Sequence, residues 1–254
     1  MTRALAWTVL VFLALPNLLI VASSFSASGS FGIPLDGVSM RWYRNLSSVP
    51  SFGVGLLNSL LLAGAATLAT GIVGTAAAFA ITRYRFAGRN LLNTLVMGPL
   101  VVPEVVMGLS FLISLTQVQG MPAWLTLIVL HMVIVLPYVV RVMIGVLQRT
   151  DPNLEAAARL LGATPLQSVL LITLPIVARG IVGVIVLAFV ISFHNFTATF
   201  FLVSNQTTLP IAIFQYIRTE SDPTVAALST LLMIGAMGLV WLTSRLLGLD
   251  RITK

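Results

Sequence analysis

One carboxylate and one dense polar patch lie inside long apolar runs of this sequence, and they are the residues best placed to do chemistry. Glu104 follows Pro103 in one run. In a second run phenylalanines interrupt a set of polar side chains, which are Ser192, His194, Asn195, Thr197 and Thr199. An ionisable or polar group at membrane depth is costly and is by default a candidate for contact with a solute or an ion.

Both features allow two interpretations. Glu104 either lines a cavity, where it meets a cation or gates a path, or is a structural carboxylate that is protonated or hydrogen-bonded to a neighbouring helix. The patch either lines a solute path or joins helices through hydrogen bonds. At about 100° per residue Asn195 and Thr199 share a helix face, with Ser192 near it. We favour the path because the patch is dense, and we expect the remaining histidine, His131, to be packed in the core.

Other kinds of chemistry lack the residues that they need. The chain has no cysteine, and its two histidines, His131 and His194, are too far apart to indicate a metal site. No G-x-x-x-x-G-K-[ST] phosphate loop is present, so ATP cannot bind by that route. We therefore expect no metal, no cofactor and no catalytic residues in this chain, and an energy source in a partner or an ion gradient.

The composition indicates the elements that must position these residues. Of 254 residues, 58% are hydrophobic and 8% are charged, whereas soluble domains carry about 25% charged residues. This excludes an ordinary soluble enzyme or a nucleic-acid-binding domain. Stretches of about 20 apolar residues can cross a bilayer as helices. Six such stretches predict an all-α integral membrane protein with a single domain over residues 1–254, and they are 5–22, 54–81, 91–115, 124–144, 180–203 and 225–247.

The basic residues orient these spans. With the N-terminus inside, eleven Arg and Lys residues fall in inside segments and three, Arg41, Arg44 and Arg218, fall outside. The positive-inside rule therefore places both termini in the cytoplasm. The alternative that the first span is a cleaved signal peptide lacks a clear cleavage site. The run from Arg83 to Arg89 is interpreted as a headgroup anchor, or alternatively as a contact with a partner.

The longest inside segment contains a helix–turn–helix pattern over residues 151–175. Asp151 can cap a first short helix, and Gly162 can end it because a residue without a Cβ adopts positive φ readily. Thr164 and Pro165 can open a second short helix, and Pro175 is expected to interrupt helical structure before the fifth span. Two short helices that project at an angle from the membrane helices suit docking into a cleft of a partner. The alternative is an amphipathic loop that rests on lipid headgroups.

Residues 151–175 resemble the EAA loop of binding-protein-dependent ABC importer permeases, which have the MetI-like transmembrane fold. The family pattern of E-A-A, three residues, Gly, a spacer and I-x-L-P is matched at Ala157, Ala158, Gly162 and the Ile172–Pro175 run. The family glutamate falls on Ala156, and Glu155 stands one position earlier. The resemblance implies a cytoplasmic coupling helix pair that contacts an ATPase through Asp151, Glu155, Ala156, Ala157, Gly162, Ala163 and Pro165.

The similarity to spermidine/putrescine-type permeases extends along nearly the whole chain. It includes Trp42-Tyr43, Asn58-Ser59-Leu60, the Arg83–Phe86 run and the Pro103–Val106 run. The family implies a permease subunit in the bacterial cytoplasmic membrane, surrounded by lipid. It also implies cytoplasmic ATP-binding subunits that hold ATP and Mg, a second similar permease, and an extracytoplasmic solute-binding protein.

The sequence leaves more than one interpretation open for the substrate and for the energy source. Polyamine permeases of this kind tend to carry paired acids where this chain has His194-Asn195. A neutral, zwitterionic or anionic organic solute is therefore as plausible as a polyamine, because each ammonium group needs a carboxylate or an aromatic face. The competing function is a secondary transporter driven by an ion gradient through Glu104, and a third is a passive channel. A secondary transporter would not need a helix pair that docks on an ATPase, so the 151–175 segment distinguishes these functions.

Overall fold

The computed structural model describes residues 2–29, 37–117, 122–202 and 207–247, and these are almost entirely helical. Turns connect the helices, and the β pairing within the described residues is one backbone bridge, between Ser26 and Val38. The prediction of an all-α protein is therefore confirmed. The helices are α1 (Thr2–Ser24), α2 (Arg41–Asn45), α3 (Pro50–Arg83), α4 (Arg89–Met97), α5 (Glu104–Gln117), α6 (Ala123–Gln148), α7 (Asn153–Leu160), α8 (Pro165–Ser168), α9 (Leu174–Phe193), α10 (Leu209–Thr219) and α11 (Thr224–Leu247).

Five helical stretches in the described residues are long and apolar enough to cross a membrane, and a bent pair makes a sixth. The five are Leu5–Ser24, Pro50–Arg83, Ala123–Gln148, Pro165–Phe193 and Thr224–Arg245. The pair, Arg89–Leu100 and Glu104–Ser114, is bent by 101°. The span predicted at 91–115 is thus two helices, because Pro103 has no N–H for a helical bond and restricts the residue before it.

The fifth span is shifted relative to its predicted bounds of 180–203. Its helix ends at Phe193, and beyond a turn Thr199–Phe201 form a short 3-10 helix. The His194 ring nitrogen Nδ1 lies 3.0 Å from the Val190 carbonyl oxygen, and the Asn195 side chain bonds the Thr199 backbone N–H at 3.4 Å. Side chains that satisfy nearby backbone groups in this way compete with continuation of the helix. Residue 203 lies outside the described residues.

No break occurs at Pro175, contrary to the prediction. Helical structure continues from α8 into α9 through a π-helical turn, Val169–Thr173, in which the Leu174 N–H bonds the Val169 carbonyl five residues back. A proline inside an α-helix lacks a donor, and its ring collides with the carbonyl four residues earlier. The wider π turn directly before Pro175 accommodates both defects.

The chain divides into two compact units. The first comprises residues 1–57 and 207–242. Within it the Trp42 indole N–H donates to the Ser26 carbonyl at 2.8 Å, and the Asn45 amide donates to the Thr224 hydroxyl at 2.9 Å. From Leu5 to Ile20 the apolar side chains of α1 are exposed, as expected of a helix that faces lipid or another subunit. The prediction of a single domain stays a prediction.

The second unit comprises residues 58–206 and 243–254, and its core lies along α6. Val139 and Met143 of that helix are fully buried. Close packing against α6 depends on small residues: a Cβ added to Gly74 of α3 would lie 2.5 Å from Val139, and one added to Gly180 of α9 would lie 2.5 Å from Val146. This packing fixes α3 and α9 beside α6, and both polar clusters described below lie in this unit.

Candidate functional site

The residues expected to shape the 151–175 segment form the predicted turns. The Asp151 carboxylate accepts the Asn153 backbone N–H at 2.9 Å at the start of α7. Gly162 adopts φ +96°, and the N–H groups of Gly162 and Ala163 bond the carbonyls of Arg159 and Ala158 at 3.0 and 3.1 Å. This is the Schellman arrangement that ends a helix at glycine.

A capping box opens the next helix. The Thr164 hydroxyl accepts the Gln167 backbone N–H at 3.2 Å, and the Gln167 side chain accepts the Thr164 N–H at 2.8 Å. Pro165 is the first residue of α8, where its missing N–H costs nothing. Two short helices joined by a stop at Gly162 therefore form as the sequence predicts.

The tip of this helix pair is apolar. Leu160 and Leu161, at the turn, are 89% and 90% exposed, and Leu166 of α8 is also exposed. Ala156 and Ala157 are exposed and Ala163 is half-buried. We call the segment from Asn153 to Ser168 the knob. An apolar tip of this kind is unfavourable in water and indicates a contact surface.

The inner face of the knob holds a charge cluster that joins four parts of the chain. Glu155 of α7 is 8% exposed, and its Oε1 accepts the Thr173 hydroxyl at 2.8 Å and lies 3.2 Å from Arg83 Nε. The Arg83 Nη2 donates to the Thr150 carbonyl at 3.0 Å. We call Arg83, Thr150, Glu155 and Thr173 the Glu155 cluster. Sequence reasoning interpreted Arg83 as a headgroup anchor and missed this ion pair, because the two residues are separated by 72 positions and three helices.

A second cluster lies within the apolar helices and is centred on His131 of α6. The His131 ring is 1% exposed, with Nδ1 at 2.7 Å from the Ser192 hydroxyl and Nε2 at 2.9 Å from the Thr199 hydroxyl. Thr199 Oγ1 lies 3.0 Å from the Asn195 carbonyl oxygen and 3.1 Å from Asn195 Oδ1. Asn195 Nδ2 donates to Glu104 Oε2 at 3.1 Å. We call these five residues the His131 chain.

Donor counting gives the His131 chain a direction. The Thr199 hydroxyl has one proton, and both Asn195 oxygens beside it can only accept. If that proton points to Asn195, then His131 Nε2 donates to Thr199, and in the uncharged ring Nδ1 accepts from Ser192. The Thr199 N–H also bonds Asn195 Oδ1, which orients the Asn195 amide nitrogen toward Glu104. With the Thr199 proton placed in this way, donation runs from Ser192 through His131, Thr199 and Asn195 to the Glu104 carboxylate.

The structure separates the six residues predicted to line a path. Ser192, Asn195 and Thr199 are buried in the His131 chain, and Glu104 is half-buried at its end. His194 is exposed, and its ring lies edge-on to that of Phe193, with the ring centroids 5.3 Å apart. Thr197 is half-buried. In the part of the protein that the structure describes, neither residue hydrogen-bonds to a member of the His131 chain. His131 was expected to be a packed core histidine, and it is packed, but sequence reasoning did not assign it to this network.

Glycine at position 108 lets α5 approach the turn after α9. A Cβ on Gly108 would lie 2.7 Å from the Ala198 carbonyl oxygen and 2.9 Å from the Phe201 ring. The backbone of α5 therefore packs directly on the turn that carries Asn195 and Thr199, close to Glu104. The arrangement presents one carboxylate, that of Glu104, which is oriented by the neutral amide of Asn195. Within the described residues, no group of three His, Cys, Asp or Glu side chains could hold a metal ion.

Residues 19–246 match the family model described as "Binding-protein-dependent transport system inner membrane component". The putrescine transport system permease protein PotI of Escherichia coli K12 is 37% identical over 239 residues, which are 90% of this chain and 84% of PotI. The spermidine/putrescine permease PotC of Haemophilus influenzae is 30% identical over 95% of this chain and 94% of PotC. The sulfate permease CysT of Salmonella typhimurium is 29% identical over 82% of this chain and 80% of CysT.

Solved structures share the fold at low sequence identity. A bacterial ABC transporter that imports the acidic polysaccharide alginate aligns with a TM-score of 0.73 at 13% identity, and the match covers 96% of this chain and 94% of that one. An amino acid ABC transporter aligns with a TM-score of 0.63 at 17% identity, over 81% of this chain and 96% of the other. These likenesses establish the fold and leave the solute open.

Proposed function

Because this chain belongs to the binding-protein-dependent transport system inner membrane components, it is a permease subunit of an ABC importer; we propose that its knob docks on a separate ATP-hydrolysing subunit. The relatives are transport permeases and not enzymes, and they do not favour the secondary transporter driven through Glu104. What remains to be assigned is how the energy enters, where the solute passes and what the solute is.

The observation that carries the docking proposal is the exposed leucine pair at the tip of the knob. Leu160 and Leu161 project from a turn that is held by the Gly162 backbone bonds and the Thr164 capping box. Burying two leucines against a partner would contribute roughly 3–6 kcal/mol of hydrophobic free energy before the costs of association. A rigid apolar knob therefore suits a cleft better than a headgroup surface.

The docking proposal fixes the orientation of the chain and its partners. The knob lies in the segment that the positive-inside rule places in the cytoplasm, so both termini are cytoplasmic and the protein is a multi-pass protein of the inner membrane. ATP and Mg bind to the docked subunits. A second permease completes the path, and an extracytoplasmic solute-binding protein delivers the solute.

For the solute path we propose Glu104 as the contact residue and the His131 chain as the support that orients it. Glu104 is half-buried, whereas the polar groups of Ser192, Asn195 and Thr199 form hydrogen bonds within the His131 chain. The exposed His194 and half-buried Thr197 remain candidates for the path wall. A carboxylate suits an organic cation, because an ammonium group needs an anionic partner.

The solute class that we propose is a small organic cation of the putrescine kind. PotI and PotC, the polyamine permeases among the relatives, match over 90% or more of this chain. Glu104 provides one carboxylate, and His194-Asn195 stand where the polyamine permeases tend to carry paired acids, so a diamine fits better than a longer polyamine. The sulfate permease among the relatives makes an anionic solute the alternative to test.

Affinity capture of the ATP-binding subunit by the detergent-solubilised permease tests docking. The double substitution Leu160→Asp and Leu161→Asp should abolish capture while membrane insertion is unchanged. The matched control, Leu160→Met and Leu161→Met, keeps an apolar tip of similar volume and should capture normally. Full capture and normal uptake by the aspartate variant would refute docking through the knob.

Uptake by the complete complex in proteoliposomes tests the solute class. Labelled putrescine should accumulate in an ATP-dependent manner when the solute-binding protein is present, and excess sulfate should not compete. Accumulation of sulfate without accumulation of any diamine would overturn the cation assignment and leave the importer assignment intact.

A further inference from the structure

Within the knob, α7 is connected to the rest of the chain by two turns and by the Glu155 cluster, whereas α8 continues into α9 as helix. On one side the chain turns at residues 149–152 between α6 and α7, and on the other it turns at residues 161–164 between α7 and α8. The first turn is held by the Asp151 bond to Asn153, and the second by the Gly162 backbone bonds and the Thr164 capping box. A direct side-chain connection between α7 and the ends of α3 and α9 adds a further path for displacement, parallel to these turns.

We propose that the ion pair of Arg83 with Glu155, together with Thr173, is a latch that makes α7 move as one body with the adjoining ends of α3 and α9. The latch carries motion from α7 to the ends of two membrane helices in parallel with the flanking turns. This proposal rests on the proposed docking of the knob on an ATP-hydrolysing subunit, and it assigns Arg83 and Glu155 as positioning residues that do not touch the solute.

The geometry of the Glu155 carboxylate supports this assignment. Its Oε1 receives the Thr173 hydroxyl at 2.8 Å from the π turn that leads into α9, and it lies 3.2 Å from Nε of Arg83, the last residue of α3. The side chains of Arg83 and Glu155 are each 10% exposed. The same arginine bonds the Thr150 carbonyl just after α6. One carboxylate and one guanidinium thus join α7 to the ends of three long helices.

The knob pairs this inward acid with exposed leucines at its tip. Glu155 is the sole acidic residue between positions 152 and 168, and it is turned away from the exposed Leu160 and Leu161. Ala156, where an outward acid would stand, is exposed. The acid of this knob therefore serves the connection to the membrane helices, and the leucines serve contact with the partner.

Neutral substitutions separate the two roles in the assembled complex. Glu155→Gln and Arg83→Gln should each lower solute uptake about tenfold, while capture of the ATP-binding subunit and ATP hydrolysis by the complex persist. Arg85→Gln, two positions along and exposed, is the matched control and should transport normally. Normal uptake by both latch variants would overturn the latch, as would loss of capture, which would make Glu155 a docking group. Failure of the unmodified chain to capture an ATP-binding subunit would instead overturn the proposed function.

Chemical crosslinking provides a gain-of-function test. The chain contains no cysteine, so Arg83→Cys with Glu155→Cys introduces a unique thiol pair when the partner subunits are cysteine-free. A flexible bis-maleimide that spans the removed side chains should restore uptake to at least half of the unmodified rate, because it replaces the latch covalently. Glu155→Cys alone, treated identically, should stay impaired. A crosslinked pair with uptake still tenfold reduced would show that the contact must open or serves another role, and would overturn the proposal.

Discussion

The Glu155 cluster and the His131 chain lie in the same unit and join helices by different physical means. The first holds a near-buried ion pair at the ends of helices, with Arg83 and Glu155 3.2 Å apart. The second holds four hydrogen-bonded side chains among the apolar helices and ends on one carboxylate, Glu104. Coulomb attraction varies gradually with distance and tolerates reorientation. A hydrogen-bond chain requires each donor to meet its acceptor.

The difference indicates which cluster can follow motion and which fixes a geometry. An ion pair supported by one hydroxyl can bear load while the helices around it shift slightly. The hydrogen bonds of the His131 chain hold the turn from Asn195 to Thr199 in one conformation and point the amide nitrogen of Asn195 toward Glu104. We therefore expect force transmission at the first cluster and substrate geometry at the second. Four substitutions test this contrast.

The largest loss of stability is expected when the ion pair loses one partner. Glu155→Gln leaves the Arg83 guanidinium without a counter-charge in a poorly solvated place and should lower the free energy of unfolding by about 3 kcal/mol. Adding Arg83→Gln removes the orphaned charge, so the double variant should be more stable than the single one. Thermal unfolding in detergent measures both. Additive losses would show that the cluster does not act as a charge pair.

A loss of about 2 kcal/mol is expected when the His131 chain loses its centre. His131→Phe keeps a ring of similar size but leaves the Ser192 and Thr199 hydroxyls to find other partners while buried. His194→Phe is the matched control, because that ring is exposed, and it should change stability by less than about 0.5 kcal/mol. Equal effects of the two substitutions would contradict the assignment of a structural chain to His131.

A loss of about 1 kcal/mol is expected when the Glu155 cluster loses its hydroxyl donor. Thr173→Val preserves the side-chain shape and removes the 2.8 Å bond to Glu155, while the ion pair with Arg83 remains. Thr219→Val, at an exposed position whose hydroxyl bonds its own helix, is the control. Thermal unfolding again gives the measurement, and a loss as large as that of Glu155→Gln would mean that the hydroxyl, and not the charge, dominates the cluster.

The smallest effect on stability is expected at Glu104, together with a large effect on transport. Glu104→Gln keeps an oxygen that accepts the Asn195 amide, so the free energy of unfolding should stay within about 0.5 kcal/mol of that of the unmodified chain. Uptake of a cationic solute should fall about tenfold because the charge is lost. Unchanged uptake in proteoliposomes would remove Glu104 from the solute path.

Local sequence signals predicted the local structure well. The Gly162 stop and the Thr164 cap both follow from the backbone preferences of a few neighbouring residues, and both are observed. The end of α9 at Phe193 was missed because apolar content alone cannot show where polar side chains will take over backbone bonds. The continuity through Pro175 was missed because a π turn has no simple sequence signature.

Long-range pairing could not be predicted from one sequence. Arg83 and Glu155 meet because α3 and the knob pack together, and nothing in the local pattern of either residue specifies the other. His131 looked like an ordinary core histidine for the same reason: its partners, Ser192 and Thr199, are more than 60 positions away. Of the polar residues of the fifth span that were predicted to line a path, the structure buries Ser192, Asn195 and Thr199 and leaves His194 exposed. A path along this span stays a prediction.

The π turn at Val169–Thr173 sets the rotational phase between the two clusters. Each residue advances an α-helix by about 100°, so removing one residue from the wide turn would swing Ser192 about a quarter of a revolution away from His131 while Glu155 kept its place. Five residues near the start of this helical stretch thus determine which side of α9, about 20 residues farther along at Ser192, faces His131. The spacing between Thr173 and Ser192 is consequently as much a part of the transporter as either residue.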